Sequence, residues 1–298
     1  MSLRAQAMLE FELPAAPQRI DELPSSDAGG EAWRVHAPAG RFLLLCSDGA
    51  LALAFEATLF DLLAESRYPA PRPRRAKGGS LIAPLQGGAA AAACYAWPPG
   101  EELLPAAATV PQLLEVGRLL ARLHQLGEVH PASVGDPGDG AKLLSRLAPG
   151  PDRDALAPVL EAGLPALPSG AVHGGLRPAR SLFVGDRCSA VLPSGFACSA
   201  PLVLDLAEAA LGWMMGASRP AAVLRALVSG YQSLRRLLPE EAGALWTALR
   251  FAAAREGARR ARMGRPAPLA ALATVDALGE AEVLSATGAE GVQSLNKK

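Results

Sequence analysis

Over the first hundred residues the apolar positions come in short runs broken by Gly and Pro, a pattern of strands. The segments AWRVHAP (32–38) and RFLLLCS (41–47) flank the turn PAG as the arms of a hairpin would. ALAFEATLFDLLAES (52–66) follows with Leu53, Leu59, Phe60 and Leu63 at helical spacing. SLIAPL (80–85) and AAAAACYAW (89–97) read as further strands, so five or so strands with one packed helix are expected. PPGEELLP (98–105) has the composition of a linker. The period then lengthens to that of helices. VPQLLEVGRLLARLHQLG (110–127) carries Pro in its first turn and Gly at its end, the start and stop signals of a helix. Residues 141–147 and 153–164 are shorter candidates, and 201–215, 220–238 and 240–263 are long amphipathic ones. Two short strands, 171–172 and 181–184, interrupt them. After Gly264 periodicity and aromatic residues fade, which predicts a mobile tail with at most one weak helix. The chain thus divides into an extension (1–18), a strand-rich lobe (19–98), a helical lobe with an embedded hairpin at 181–192 (99–263) and the tail (264–298). Clefts between lobes are where ligands usually sit.

Composition narrows the function classes. The chain has 298 residues, half of them hydrophobic, enough to bury a large core. Its 29 basic and 29 acidic residues leave no net charge to recruit nucleic acid or an anionic membrane, so neither is expected as a partner. Cys46, Cys94, Cys188 and Cys198 are too widely spaced for a metal knuckle and predict buried, reduced thiols in a cytoplasmic protein. No leader pattern is found, and the apolar stretches are too short to span a membrane or are interrupted by charges such as Asp205 and Glu208. Two scarcities matter more. There are only four lysines (Lys77, Lys142, Lys297, Lys298) and one asparagine, Asn296, so chemistry that needs either residue has few places to find it.

The stretch HGGLRPARSLFVGD, His173 to Asp186, has the outline of a catalytic loop. Together with VGRLLARLHQLG, LPSGAVHGGLRP, LFVGDRCSAVL, GFACSAPLVLDLAEAALGWM, SGYQSLRRL and ALRFAAAR it resembles the homoserine kinases of the aminoglycoside phosphotransferase superfamily in order and spacing, over about residues 19–263. GGEAWRVHAPAGRFLLL is similar to their nucleotide-covering hairpin. The resemblance implies an α+β, protein-kinase-like bilobal fold, with a small antiparallel lobe and a larger, mainly helical one. It also implies where the chemistry would lie. The family's general-base aspartate falls on Gly175, its metal-binding asparagine on Arg180 and its metal-binding aspartate on Pro193, whereas His173, Gly174, Leu176, Pro178, Phe183, Phe196, Ala197, Cys198 and Asp205 keep the pattern.

Those substitutions conflict with phosphoryl transfer, in which magnesium neutralises charge and demands hard oxygen ligands. Gly, Arg and Pro side chains supply none, and loss of the base alone would slow transfer about 10²- to 10⁴-fold. No lysine lies in RFLLL; Arg34 or Arg41 is the nearest cation, and Glu56 reads as a solvated helical residue. His173 reads as structural, His124 as a helix-end residue, Asp186 as a turn aspartate, and Asp205 as a brace for the loop by the resemblance. Arg177 and Arg180 are open to two readings: cations that hold an anion without metal, or, for Arg180, a residue paired with Asp205 or Asp186 that merely fills the vacated metal site. The favoured function is a pseudokinase, a non-catalytic binding or regulatory module with no cofactor, that takes a protein partner or a small anionic ligand in the interlobe cleft. The alternative is an ATP- and magnesium-dependent phosphotransferase acting on the hydroxyl of a small amino-acid-like substrate such as homoserine.

Overall fold

Short apolar runs with tight turns assemble the N-terminal lobe. In the computed structural model, which describes residues 1–14, 16–23, 30–130, 134–135, 139–265 and 268–288, helix α1 (Leu3–Glu10) is followed by β1 (Arg19–Leu23), β2 (Glu31–Ala37) and β3 (Gly40–Ser47). Helix α2 (Ala50–Glu65), β4 (Ala83–Leu85) and β5 (Ala90–Ala96) complete the lobe. The strands form one antiparallel sheet in the order β1-β2-β3-β5-β4, with Ala37 opposite Gly40 at the hairpin turn. Leu43 and Leu45 of β3, with Ala91, Ala93 and Tyr95 of β5, face Phe55, Leu59 and Phe60 of α2 in the main core. Leu44, Cys46, Ala92 and Cys94 face the opposite side, where Ala7, Met8 and Phe11 cover them. Burial on both faces is why these two strands read as continuous apolar runs without alternation. The first 18 residues are therefore more than an extension, since α1 closes the outer face of the sheet.

The crossing to the second lobe is structured. Residues Glu101–Glu102 form β6, which pairs with a hairpin of the helical lobe. Helix α3 (Val110–Gly127) starts at a capping box between Thr109 and Gln112. It is followed by α4 (Gly140–Leu144), α5 (Pro151–Ala162), β7 (Ser169–Val172), the hairpin β8 (Ser181–Val184) and β9 (Arg187–Val191), and β10 (Cys198–Pro201). Then come α6 (Leu202–Met214), α7 (Pro220–Gln232) and α8 (Pro239–Arg262), with Pro at the first position of the last two. Strands β6, β8 and β9 make one small sheet, β7 and β10 another. The arrangement is a protein-kinase-like bilobal α+β fold, and no helix of the described residues is long and apolar enough to cross a membrane.

The segment after Gly264 differs from the expected mobile tail. It contains α9 (Ala270–Leu278) and α10 (Glu280–Thr287), which bury Ala271, Leu272, Val275 and Val283 against the helical lobe. Ala and Leu recur too sparsely there to reveal a face; packing on α7 and α8 supplies the partner surface. Asn296, Lys297 and Lys298 lie outside the described residues.

Candidate functional site

Strand β7 ends at Val172, opposite Cys198 of β10, and delivers the chain into the loop 173–180. Asp205, in the first turn of α6, holds the start of that loop. Its Oδ2 accepts from the His173 backbone N–H at 2.8 Å and its Oδ1 from that of Gly174 at 2.9 Å. His124 Nε2 lies 3.0 Å from the same carboxylate, and His124 Nδ1 lies 2.7 Å from the Tyr231 hydroxyl. His124 therefore reaches inward and ties α3 to α6 and α7; it does not cap its helix. Burial pushes the Asp205 carboxyl upward, but the His124 hydrogen bond and charge, with the two backbone donors, more than offset it and leave the group below its ordinary value. Further along, Trp213 Nε1 donates to the Leu176 carbonyl at 3.0 Å, which pins the middle of the loop to α6.

The His173 ring is buried and donates through Nε2 to the Leu192 carbonyl oxygen at 2.9 Å. Burial lowers its pKa to about 4, so the ring is neutral at pH 7. A neutral ring bonded to the backbone of the strand end holds the loop against β9.

Glu56 is not a solvated residue: it is 1% exposed and points from α2 into the lobe junction. Its Oε1 accepts from the backbone N–H groups of Ser194 at 2.9 Å and Gly195 at 2.8 Å, and from the Ser194 hydroxyl at 3.3 Å. The Ser194 hydroxyl also lies 2.6 Å from the His173 carbonyl oxygen. Burial raises the Glu56 carboxyl above its ordinary value, against the opposing pull of these donors and of Arg180. The signal was in the sequence: Glu56 is three residues from both Leu53 and Leu59, on the apolar stripe of α2.

Gly175 has φ +129°, and a Cβ built on it would meet the Arg177 guanidinium at 3.3–3.4 Å. The Phe196 backbone fills the space over Gly174, and the Arg177 side chain that over Gly175. Pro193 is buried at the end of β9. Arg180 ends the short 3-10 turn Pro178–Arg180; the neighbouring β9 end bonds its carbonyl through the Leu192 N–H at 2.8 Å. Its guanidinium makes no hydrogen bond or ion pair with any described residue. Asp205 is committed to the loop backbone and Asp186 accepts from Thr109 Oγ1 at 3.1 Å, so neither takes the salt bridge to Arg180 that one reading of the sequence had supplied. Burial lowers the Arg180 pKa, partly countered by the charge of Glu56.

Between the lobes lies a cavity of about 270 Å³ whose lining includes Trp97, Glu102, Gly175, Arg177, Arg180 and Arg265. Arg180 and Ser194 also line a recess of about 120 Å³ under β3 and the start of α2. Arg34 is not free to bind phosphate: it pairs with Glu102 at 3.0 Å and its guanidinium lies 3.9 Å from the centre of the Trp97 ring. Arg41 and Lys77 are exposed. Magnesium does not fit this donor set. Gly175, Arg180 and Pro193 offer no oxygen side chain, Glu102 and Glu256 pair with arginines, and Glu56 Oε1 is taken by three donors, which leaves Glu56 Oε2 as a single unpartnered oxygen where magnesium demands several. Among the described residues no group of three His, Cys, Asp or Glu side chains is placed to hold a metal ion.

Comparison with known proteins identifies the lineage. Residues 22–252 match the model of the phosphotransferase enzyme family that includes the aminoglycoside phosphotransferases. A homoserine kinase of Rhodopseudomonas palustris (strain BisB18) is 30% identical over 239 residues, 74% of this chain and 72% of that one. One from Acidiphilium cryptum (strain JF-5) is 31% identical over 212 residues, 66% and 65% of the two chains. Among solved structures, an amicoumacin kinase superposes with a TM-score of 0.69 at 12% identity, covering 91% of this chain and 90% of its own. A microcompartment-associated aminopropanol kinase gives 0.64 at 18% identity, covering 96% and 98%. At such identities these two structures speak for the fold alone. The family match over most of the chain and the curated relatives carry the assignment, and the chain belongs to the phosphotransferase enzyme family of the aminoglycoside phosphotransferases, on the homoserine-kinase-like side of it.

Proposed function

We propose that the protein is a pseudokinase, a kinase-like fold kept as a binding or regulatory module. The observation that carries this reading is the Arg177 guanidinium lying over Gly175, whose φ of +129° is one that an aspartate rarely adopts. A cation stands where a general base would have to accept a proton, and Arg180 and Pro193 leave the metal positions without oxygen ligands. Transfer depends on placing charge-neutralising metal and base against the phosphates, and here neither role has a side chain. The four buried cysteines suit a reducing, cytoplasmic setting.

A second reading is favoured by the relatives, which are homoserine kinases at about 30% identity: an ATP-dependent phosphotransferase acting on the hydroxyl of a small amino-acid-like substrate. One experiment separates the two. Purified protein is incubated with ATP, magnesium and homoserine, and ADP release and phosphorylated product are followed by coupled assay and ³¹P NMR. The pseudokinase reading expects both to stay at the level of the protein-free control. Metal-dependent turnover that Arg180→Gln abolishes and Arg187→Gln, at the exposed hairpin tip, leaves intact would replace it with the second reading.

A further inference from the structure

The cleft carries cations where its family carries a cation-binding site, and the consequence extends to the ligand. We propose that Arg177 and Arg180 form a metal-independent site for a small oxyanion, a phosphate or carboxylate, in the interlobe cavity; this rests on the pseudokinase reading of the same cleft. Three arginines, Arg177, Arg180 and Arg265, line the cavity against two glutamates, Glu102 and Glu256. Both carboxylates are already engaged, Glu102 by Arg34 at 3.0 Å, and Glu256 by Arg177 at 4.0 Å and Arg260 at 3.9 Å. Neither Arg180 nor Arg265 makes an ion pair with a carboxylate among the described residues; Glu56 and Glu102 act on Arg180 only through their charge, and its N–H donors are left facing the cavity.

Arg180 is the more constrained of the two. Its backbone is fixed by the 3-10 turn and by the Leu192 N–H on its carbonyl. Its one nearby buried carboxylate, Glu56, spends Oε1 on Ser194 and Gly195 and leaves Oε2 buried without a hydrogen bond, so it acts on Arg180 through charge and makes no ion pair with it. A guanidinium presents several N–H donors in a plane, and leaving them without acceptors in a half-buried place is unfavourable. An oxyanion in the cavity satisfies them, and at 4.0 Å the Arg177–Glu256 contact is loose enough for Arg177 to turn toward the same anion. The cavity is large enough for a phosphate-sized group, and the Arg177 guanidinium beside Gly175 occupies space that a side chain at position 175 would otherwise claim.

The test is a thermal-shift titration in EDTA with sodium phosphate, sodium acetate and ATP as separate arms, against sodium chloride at matched ionic strength to remove general screening. A ligand that binds only the folded state stabilises it by RT ln(1 + L/Kd), with L the free ligand concentration, so its melting temperature climbs once the concentration passes Kd. The expected result is a rise that grows with the logarithm of concentration for at least one oxyanion and is absent with chloride, unchanged by added magnesium. The arms report whether the site prefers phosphate or carboxylate. Arg180→Gln is expected to weaken the apparent affinity at least tenfold, about 1.4 kcal/mol, and Arg187→Gln to leave it unaltered. No rise with any oxyanion, a rise that requires magnesium, or the same affinity in Arg180→Gln would overturn the site. Should Arg180→Gln not fold, Arg177→Gln is read by the same criteria. Turnover in the transfer assay would remove the pseudokinase reading by itself, whereas loss of the anion response removes only this site.

Discussion

At the scale of the residue, Gly175 is where the proposed loss of catalysis is most directly tested. Simple reversion to aspartate is expected to fail, because φ of +129° is strained for any L side chain and the new Cβ would press on the Arg177 guanidinium. We expect Gly175→Asp to lower the unfolding free energy by about 1–3 kcal/mol, measured by denaturant titration, and to confer no ATP-dependent transfer on homoserine. A gain of metal-dependent transfer in this variant would show that the loop still adopts a competent geometry. The absence of a carboxylate or amide at positions 175, 180 and 193 is written in the sequence, but the location of the Arg177 guanidinium is not. Glu56 is the counterpart: its place on the apolar stripe could be read from spacing, whereas its acceptors' donors lie 138 and 139 residues away.

At the scale of the element, helices α2 to α8 were readable from their 3.6-residue period and their Pro and Gly punctuation, and their crossings were not. Helices α3 and α7 approach closely because two glycines meet there. A Cβ on Gly117 would overlap the Leu227 carbonyl and crowd the Tyr231 N–H, and one on Gly230 would overlap the Leu114 carbonyl. Alanine normally favours a helix over glycine by about 1 kcal/mol. Here the backbone-to-backbone overlap reverses that sign, and Gly117→Ala is expected to destabilise by about 1–3 kcal/mol or more. The same substitution at Gly243, on α8 with nothing near its Cβ position, should be neutral or stabilising. Equal effects of the two substitutions in thermal melts would contradict the close crossing. The crossing matters to the site because His124 on α3 reaches Asp205 and Tyr231 across it.

At the scale of the whole molecule, the buried titratable groups at the lobe junction set a pH dependence of folding. His173 titrates near 4 in the folded protein against 6.5 ordinarily, so the unfolded chain takes up the proton first and stability falls as pH drops from about 6.5 to 4. One such proton gives a slope of up to about 1.4 kcal/mol per pH unit. Asp205, held below its ordinary 3.8, adds stability that is lost only at lower pH, as the medium falls through its folded pKa. Glu56, raised above its ordinary 4.5, has the opposite sign: its contribution is complete below that value and is lost as pH rises through the folded pKa. Urea melts from pH 4 to 7 are therefore expected to lose the rise of stability with pH in His173→Gln, where the opposing Glu56 contribution remains, and to rise more steeply in Glu56→Gln. Parallel curves for wild type and both variants would show that these groups do not titrate differently on folding.

Local sequence carries local structure because a period of two or 3.6 and a turn residue act within a few positions. Hence the antiparallel lobe, α2, the hairpin at 181–192 and the long helices of the second lobe follow from the chain read in order, as does the absence of a carboxylate or amide at positions 175, 180 and 193. The packing of α1 on the outer face of the sheet and of α9 and α10 on the helical lobe does not, because their weak apolar patterns gain meaning only from the surfaces that cover them. The same is true of charge. Whether Glu56, His124, Arg34 or Arg180 meets a partner depends on residues 68 to 139 positions distant or, for Arg180, on carboxylates already engaged elsewhere. Burial and pairing are properties of surfaces that meet only when the chain has folded.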